Sequence, residues 1–374
     1  MVAQARERQT IESDRLPTRR RIRLGRSAVE ITDVGLGLRE VGRSPENTRR
    51  LLVAAGAAGI DYIDVSPSYG FGLAELRLRP ALRSQRFVVS TKVGAKLGPP
   101  RSRFERAAHA VHETLTGGVP AVDLGLKRLT RIATRDNVRG DPQPRVASGG
   151  VEAAAPDATS LSVSCDFSFD GTLRSVEESC VRLGVDHLDI VYLHDPEVHR
   201  GASMRGAYRA LHALRAEGTV RAIGVAMNHA SRLAWFAPRG DFDVFMIAGR
   251  YTLLDQSAAA DLFPIAKARG ITVVVAGVFN GGLLADPRPG VPYNYGPPSP
   301  AMVARAIELR AICESFGVPW RAAALQFSRA HPAVDAVLLG AATPAELTES
   351  LDDLERVIPD ALWSELRERG VGRD

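Results

Sequence analysis

The chain has 374 residues, of which 45% are hydrophobic and 24% charged, a composition typical of a globular protein with a large core. Its formal net charge of +5 is mild, and its arginines form neither a concentrated basic face nor a known module, so a nucleic-acid partner is not expected. No apolar run reaches membrane-spanning length, and the basic N-terminus lacks the apolar core of a secretory signal. A membrane partner is therefore not expected either.

The three cysteines, Cys165, Cys180 and Cys313, form neither a CxxC pair nor an even framework. A disulfide scaffold is therefore not expected, and a reducing cytoplasm is the predicted location. Residues 1–21 predict a disordered basic tail, residues 22–360 a single domain, and residues 361–374 a C-terminal tail.

Strands and helices alternate in the first part of the chain, after a short hairpin with its turn near Gly25. Ser44 and Pro45 predict the start of a helix, as its N-cap and its first residue. A second helix is predicted at 73–82, where Pro80 is expected to end or kink it early. The first three strands are predicted at 33–38, 62–65 and 87–91.

A long segment at 95–165 interrupts this alternation. It is rich in Pro, Gly, Arg and Ala, and residues 136–156 look like a mobile loop. We interpret the segment as an insertion that is partly disordered. It is either a lid over a substrate pocket, which would set substrate choice, or a surface insertion without a role in catalysis.

The alternation resumes at Asp170, the predicted N-cap of an amphipathic helix that runs to residue 183. Five more strands are predicted at 188–193, 220–225, 243–247, 271–276 and 334–339. Helices are predicted at 203–217, 230–236, 256–269, 300–316, 319–330 and 344–354.

The eight strands are apolar with little alternation, which indicates burial on both faces and a parallel sheet. Eight strand–helix units favour an α/β fold of the closed (β/α)8 TIM-barrel class with a long insertion after the third strand. Gly35 and Gly37 lack the third glycine and the acidic partner of a Rossmann fingerprint. The sequence also lacks a P-loop, an HExxH motif and a nucleophile elbow.

Four residues with useful chemistry lie at or just after predicted strand ends: Asp64, Tyr69, Lys92 and His194. Taken singly, each has an ordinary structural interpretation, as a turn residue, a packed aromatic, a solvated strand end and a core histidine. In a parallel barrel, however, all strand ends open on one face, where the four would converge. Together they suit proton transfer coupled to hydride transfer.

The order and spacing of these residues resemble the aldo-keto reductase superfamily. Four further stretches resemble its aldose 1-dehydrogenase branch, whose members oxidise L-fucose, L-galactose or D-threo-aldoses, together with the related pyridoxal dehydrogenase. They are YLHDPE at 192–197, GVAMN at 224–228, AGRYTLLDQ at 248–256 and VFNGGLL at 278–284. The resemblance runs from about residue 22 to 355 outside the insertion, and it implies that Asp64, Tyr69, Lys92 and His194 are the catalytic tetrad.

The resemblance also implies a nicotinamide dinucleotide, NAD or NADP, and no metal. Asn228 would bond the nicotinamide carboxamide. Phe279 would either pack against the nicotinamide or belong to the core. Ala248 replaces a glutamine that is common in the family, so that contact is expected to be lost.

The stretch that follows the eighth strand, with Gly340, Ala341, Thr343 and Glu346, would hold the pyrophosphate or the adenosine phosphate of the cofactor through its backbone N–H groups. Relatives that prefer NADP carry a Lys and an Arg at the positions of Gly340 and Glu346. A carboxylate there would repel a 2′-phosphate, which predicts a preference for NAD. The alternative is that Glu346 only stabilises the first turn of a helix.

A phenol with a pKa near 10 is a poor base at neutral pH unless a nearby ammonium favours the phenolate. Lys92, held by Asp64, would supply that charge, and Tyr69 would exchange the proton of the substrate oxygen while His194 orients it. The favoured reaction is oxidation of an aldose at C1 to a lactone. The alternatives are an NAD(P)H-dependent aldehyde or ketone reductase of a biosynthetic pathway and a catalytically silent cofactor-binding subunit. The partner is a small sugar or carbonyl compound, and the sequence determines neither its identity nor the oligomeric state.

Overall fold

The computed structural model describes residues 19–39, 44–96, 164–294 and 296–372. Strands β1 (Arg21–Arg23) and β2 (Glu30–Thr32) form the predicted antiparallel hairpin. The predicted domain start at residue 22 is slightly late. The side chain of Arg19 already donates to Ala58 O at 3.3 Å and pairs with Glu355 at 3.3 Å.

The predicted (β/α)8 TIM barrel is confirmed. The eight barrel strands are parallel and close in the order β3, β4, β5, β8, β9, β10, β11, β12 and back to β3. Their bounds are β3 Val34–Gly37, β4 Tyr62–Asp64, β5 Val88–Val93, β8 Leu188–His194, β9 Val220–Met227, β10 Val244–Ala248, β11 Thr272–Ala276 and β12 Ala336–Gly340.

Two short strands flank the predicted insertion. Strand β6 (Ala95–Lys96) pairs in antiparallel fashion with β7 (Ser164–Cys165), directly after the third barrel strand. The segment between them, with the predicted lid and the loop at 136–156, lies outside the described residues. The predicted N-terminal tail up to residue 18 also lies outside them.

The helices lie around the barrel, with bounds close to those predicted. They are α1 Pro45–Ala57, α2 Leu73–Leu82, α3 Phe169–Leu183, α4 Arg200–Ser203, α5 Arg209–Glu217, α6 Ala230–Ala234, α7 Ser257–Asp261, α8 Phe263–Arg269, α9 Pro300–Ser315, α10 Trp320–Ala330, α11 Pro344–Glu355 and α12 Asp360–Glu368. Two predicted helices are divided. A π-helical segment at Met204–Tyr208 separates α4 from α5, and Pro264 in the first turn of α8 separates it from α7.

Helix ends follow local capping chemistry. Ser44 caps α1 as predicted, accepting from Asn47 N with Pro45 as the first helical residue. The prediction that Asp170 caps α3 is wrong, because Ser168 accepts from Gly171 N and Asp170 lies in the first turn, where its charge suits the helix dipole. Helix α2 continues to Leu82 with Pro80 inside it.

The predicted C-terminal tail at 361–374 is also wrong for the residues described. Helix α12 places Leu362 and Leu366 one turn apart on one buried face, and Val371 after it is buried as well. An apolar pair at i and i+4 gives a helix a face to bury. The folded domain therefore extends past residue 360.

The end of the barrel at which the strands begin is held by repeated carboxylate contacts. At the start of every second barrel strand, an aspartate accepts a hydrogen bond from a neighbouring backbone N–H, which belongs to hairpin strand β2 for Asp61 and to the preceding barrel strand for the other three. The pairs are Asp61 with Thr32 N (2.9 Å), Asp189 with Val89 N (3.0 Å), Asp243 with Ile223 N (2.9 Å) and Asp335 with Val273 N (2.8 Å). The hairpin covers this end, where Gly25 N donates to Thr272 Oγ1 at 2.9 Å. These bonds stabilise the strand register and leave the opposite end for chemistry.

Candidate active site

A cavity of 770 Å³ opens at the carboxyl ends of the barrel strands. Its lining contains the four predicted catalytic residues and five of the six predicted cofactor residues. These are Asp64, Tyr69, Lys92, His194, Asn228, Phe279, Gly340, Ala341 and Glu346. Thr343 is not part of the lining. One cavity therefore brings together residues that the sequence places almost 300 positions apart.

Asp64 and Lys92 form a buried ion pair at the base of this cavity. Lys92 Nζ lies 2.8 Å and 2.6 Å from the two carboxylate oxygens of Asp64 and 2.9 Å from Val65 O. Both side chains are only 2% exposed. Burial disfavours the charge of Lys92, but the Asp64 carboxylate and the phenolate form of Tyr69 outweigh it and raise the pKa of Lys92 above its ordinary value. The ammonium is therefore permanent at physiological pH.

A chain of buried hydroxyls supports Asp64 from inside the barrel. Ser90 Oγ donates to Asp64 Oδ1 at 2.6 Å and lies 3.2 Å from Tyr62 OH. Tyr62 OH lies 3.1 Å from Tyr192 OH. Burial raises the pKa of both phenols above the ordinary value, with Asp64 adding to the effect on Tyr62 and Tyr62 adding to that on Tyr192. Both tyrosines therefore remain neutral hydrogen-bonding groups.

Tyr69 reaches the ion pair from the tight turn after β4. Gly70, Phe71 and Gly72 all have positive φ angles, of 58°, 56° and 81°, a conformation that glycine adopts without strain. The turn places the centroid of the Tyr69 ring 4.7 Å from Lys92 Nζ. A permanent positive charge therefore lies beside the phenol.

His194 ends β8, with its ring edge-on to that of Tyr69 and the two centroids 6.5 Å apart. Burial, with a contribution from the charges of Lys92 and Arg39, lowers the pKa of His194 to about 3. The imidazole is therefore neutral at physiological pH and can offer one N–H donor and one acceptor.

A second buried ion pair lies behind the tetrad. Arg182 Nε on α3 contacts Glu75 Oε2 on α2 at 2.5 Å, and both side chains are almost fully buried. Thr91 Oγ1 donates to Glu75 Oε1 at 2.7 Å. Since Thr91 precedes Lys92 and α2 follows the Tyr69 turn, these contacts join the two segments that carry the phenol and the ammonium. The sequence analysis did not identify Glu75 or Arg182, which resemble ordinary charged residues on helix surfaces.

Asn228 lines the cavity and carries a buried side-chain acceptor that has no partner within the described residues. This acceptor is Oδ1, whereas the backbone oxygen of Asn228 accepts from Arg250 Nε. Arg250 is held in turn by Asp255 at 2.8 Å. A buried acceptor without a partner is costly unless a ligand satisfies it, so Asn228 fits the carboxamide of a nicotinamide.

The opposite part of the cavity carries an arginine that the sequence analysis missed. The guanidinium of Arg321 lies 4.8 Å from the centroid of the Phe279 ring. It contacts Ser350 Oγ at 3.3 Å and Asp353 Oδ2 at 3.6 Å. Arg321 lies on a helix before the eighth strand, where only the fold reveals that it faces the cavity. Asp195 and Arg39, which also line the cavity, were missed as well.

Thr343 and Glu346 form the start of α11. Thr343 Oγ1 accepts from Glu346 N at 3.2 Å, and Glu346 Oε2 accepts from Ala342 N at 2.8 Å. Thr343 thus acts as a helix cap, in an arrangement related to a capping box. Glu346 combines this structural contact with a place in the cavity lining. At Gly340, an added Cβ would meet no atom within 4 Å among the described residues, so this stretch leaves room for a ligand.

The chain is similar to known proteins along most of its length. The model of the aldo/keto reductase family matches residues 162–369. Pyridoxal 4-dehydrogenase of Microbacterium luteolum is 31% identical over 366 residues, which cover 93% of this chain and 96% of that protein. D-threo-aldose 1-dehydrogenase of a Pseudomonas species is 34% identical over 353 residues, which cover 91% of this chain and 95% of that protein. The chain belongs to the aldo/keto reductase family.

This aldo-keto reductase is an NAD(P)-dependent oxidoreductase. Solved structures agree with its fold. An aldo-keto reductase of Bacillus halodurans superposes with a TM-score of 0.66 at 18% identity, over 94% of this chain and 96% of that one. Glycerol dehydrogenase of Gluconobacter oxydans gives 0.63 at 18% identity, over 93% and 94%.

The described residues contain neither a candidate metal cluster nor a helix that could span a membrane. No group of three or more His, Cys, Asp or Glu side chains in this part of the chain could hold a metal ion. None of the helices described here is long and apolar enough to cross a membrane.

Proposed function

We propose that this aldo-keto reductase oxidises an aldose at C1 to a lactone, with NAD as its preferred acceptor. The observation that carries the proposal is the Asp64–Lys92 ion pair, whose ammonium lies 4.7 Å from the Tyr69 ring centroid inside the cavity. The relative named as a D-threo-aldose 1-dehydrogenase supports an aldose substrate.

Tyr69 is the proposed general base. The ammonium of Lys92 favours the phenolate, and Asp64 holds that ammonium in place. Tyr69 then accepts the proton of the C1 hydroxyl while the C1–H bond breaks and the C1–O bond becomes a carbonyl. The site would hold a nicotinamide cofactor as the hydride acceptor, so that the sugar would lose two electrons and two hydrogens in all.

His194 is the proposed orienting group. A neutral imidazole can donate its N–H to the oxygen at C1 without adding a positive charge that would compete with Lys92 for the phenolate. Its lowered pKa keeps the imidazole in this form. Tyr69 and His194 would together fix the reacting oxygen, so that the C1–H bond points towards the nicotinamide side of the cavity.

The cofactor would extend across the cavity from Asn228 to the start of α11. Asn228 Oδ1 has no partner among the described residues and would pair with the carboxamide, and Gly340 leaves room at the adenosine end. The carboxylate of Glu346 in the lining supports NAD over NADP, because it would repel a 2′-phosphate. Equal kcat/KM values for NAD and NADP would overturn this preference.

The test is an absorbance assay for reduced nicotinamide with a panel of aldoses, polyols and simple alcohols, with NAD and NADP tested separately. We expect turnover of one or more aldoses, with a lactone that hydroxylamine traps as a hydroxamate. Reduction of aldehydes or ketones by NADH, without oxidation of any aldose, would assign the enzyme to the reductase alternative. Cofactor binding without turnover of any carbonyl compound or alcohol would contradict both.

A further inference from the structure

Asp195 has an unusual backbone at the mouth of the cavity. It directly follows His194, and its φ angle is +45°, which is uncommon for a residue with a side chain. Its N–H donates to Ala226 O at 3.0 Å, so the pairing of β8 with β9 holds it there. Such a conformation persists where the surrounding structure fixes it, often at functional sites.

The Asp195 carboxylate is free to accept hydrogen bonds from a ligand. It lines the cavity, its side chain is 53% exposed, and its nearest polar partner is His194 Nε2, 3.7 Å from Oδ2. Within the described residues it accepts no hydrogen bond. The aspartates at the other end of the barrel each accept a backbone N–H, as Asp243 does from Ile223. Asp195 thus presents an acceptor to whatever occupies the cavity.

We propose that Asp195 determines specificity by accepting a hydrogen bond from a substrate hydroxyl on the carbon next to the reacting carbon. This inference rests on the proposed site, in which Tyr69 and His194 hold the reacting oxygen. A substrate oxygen bonded to His194 Nε2 brings the neighbouring hydroxyl towards Asp195. A carboxylate is a strong acceptor for such a group. The substrates favoured by this arrangement are α-hydroxy aldehydes and aldoses.

The charge of Asp195 also selects against anions. Although about half of the Asp195 side chain is exposed, desolvation of the part that lies against the protein and the nearby Glu197 raise its pKa to about 6, while Lys92 and Arg39 act in the opposite direction. At neutral pH the side chain is mostly ionised, so it would repel a carboxylate or phosphate on the substrate. The preferred substrates are therefore neutral as well as hydroxylated.

The test compares glyceraldehyde with propanal, which lacks both hydroxyls, in reduction by NADH. Asp195→Asn and Asp195→Gly keep the backbone conformation, because Asn and Gly both tolerate positive φ. We expect the ratio of kcat/KM for glyceraldehyde to that for propanal to fall about tenfold in Asp195→Gly, and less in Asp195→Asn. The kcat/KM for propanal should change by less than about twofold from that of the unmodified enzyme. The matched control is Asp186→Asn, which removes an exposed carboxylate outside the cavity.

Two further measurements separate recognition from general damage. The KM for glyceraldehyde should rise as the pH falls through about 6, where Asp195 gains a proton, while the KM for propanal should not. His194, Glu197, Cys165, Lys92 and Arg39 face Asp195. The lowered pKa of His194 and the raised pKa of Cys165 keep both groups from titrating in this range. In Asp195→Asn, kcat/KM for glyceraldehyde 3-phosphate should rise relative to that for glyceraldehyde.

An unchanged ratio in both variants, or an equal loss with both aldehydes, would overturn the proposal. An absence of any preference for glyceraldehyde in the unmodified enzyme would also overturn it. The assay uses reduction, so its outcome is independent of whether the enzyme oxidises any sugar. A failure of the aldose oxidation proposal is therefore distinguishable from a failure of this one.

Discussion

In the proposed reaction, Lys92 would act through its charge alone. Two oxygens of Asp64 and the backbone oxygen of Val65 surround Nζ within 2.9 Å, and an ammonium has only three N–H donors. Its donors are therefore engaged by the protein and are not offered to the substrate. What remains is an electrostatic effect on Tyr69, whose ring centroid is 4.7 Å away. The proton transfer must therefore be carried by the phenol.

Replacement of Tyr69 by Phe tests this assignment. We expect kcat to fall by about 10²–10⁴-fold, because the general acid–base group is lost while the ring remains. The Kd for NADH should stay within about twofold, since the phenol acts on the substrate oxygen. Steady-state kinetics and fluorescence titration with NADH measure the two effects. The control is Tyr208→Phe, which removes a hydroxyl that accepts from Asp241 N outside the cavity. A loss of similar size in both variants would contradict the role of Tyr69.

The lowered pKa of His194 predicts a specific pH dependence of stability. The unfolded chain binds a proton at this residue below a pKa of about 6.5, whereas the folded protein binds it only near pH 3. Between these values the unfolded state holds more protons, so the free energy of unfolding falls as the pH falls. Between pH 6.5 and pH 5, the free energy of unfolding of the unmodified protein should fall by about 2 kcal/mol more than that of the His194→Gln variant. Urea unfolding at the two pH values measures this difference. Equal losses in the two proteins would show that burial does not lower the pKa of His194.

At the scale of elements, the sequence predicted the barrel because eight short apolar strands alternate with helices, which is typical of a closed parallel barrel. The residue that caps each helix was harder to predict. Ser and Asp are both favourable N-cap residues, so the sequence alone does not distinguish Ser168 from Asp170. The backbone decides, because it is extended at Ser168 and already helical at Asp170. The convergence of Asp64, Tyr69, Lys92 and His194 on one cavity could be predicted because three of them lie at the carboxyl ends of strands and Tyr69 lies just after one. Arg321 and Arg182 could not be predicted, because helix residues reveal their partners only when the helices pack.

The Glu75–Arg182 pair between α2 and α3 gives a prediction at this scale. Glu75→Gln leaves a buried guanidinium without its counter-charge, so we expect the free energy of unfolding to fall by about 3–5 kcal/mol. Glu178→Gln is the matched control, because Glu178 contacts the same arginine at 3.5 Å but is 59% exposed, and it should cost less than about 1 kcal/mol. Urea denaturation measures both variants. Equal losses of unfolding free energy in the two variants would mean that the buried Glu75–Arg182 pair contributes no more to stability than the exposed Glu178 contact.

The Glu75 contact with Thr91 extends this argument to catalysis. If α2 and β5 are held together by this contact, Glu75→Gln should also lower kcat at temperatures where the variant is fully folded. The control Glu178→Gln should retain kcat. A variant with reduced stability but normal kcat would show that the pair stabilises the fold without placing Tyr69 near Lys92.

At the scale of the whole molecule, stability and chemistry lie at opposite ends of the barrel. The closed end carries the hairpin and the aspartates that bond neighbouring strands, such as Asp335 with Val273. The open end carries polar groups that accept no hydrogen bond from the described residues, among them Asn228 Oδ1 and the carboxylate of Asp195. A fold that is fixed at one end can leave polar groups unpaired at the other, where a ligand satisfies them.

This arrangement predicts how the cofactor is held across the open end. The proposed nicotinamide site at Asn228 and the proposed adenosine site at Gly340 are supplied by β9 and β12, on different parts of the rim. The diphosphate of a dinucleotide would lie between them, and Arg321 is a cation in the lining of the cavity on the side of β12. Its Nη1 makes no hydrogen bond within the described residues, so a donor and a charge remain for a phosphate oxygen.

Arg321→Met should therefore raise the Kd for NADH by about tenfold, as expected for the loss of one charge-assisted hydrogen bond. The Kd for adenosine, which has no phosphate, should change by less than about twofold. Isothermal titration calorimetry measures both ligands without turnover. Arg310→Met is the control, because this arginine pairs with Glu314 on the exposed face of α9. If adenosine lost affinity as strongly as NADH, Arg321 would act by shaping the cavity through Phe279 and not by binding a phosphate.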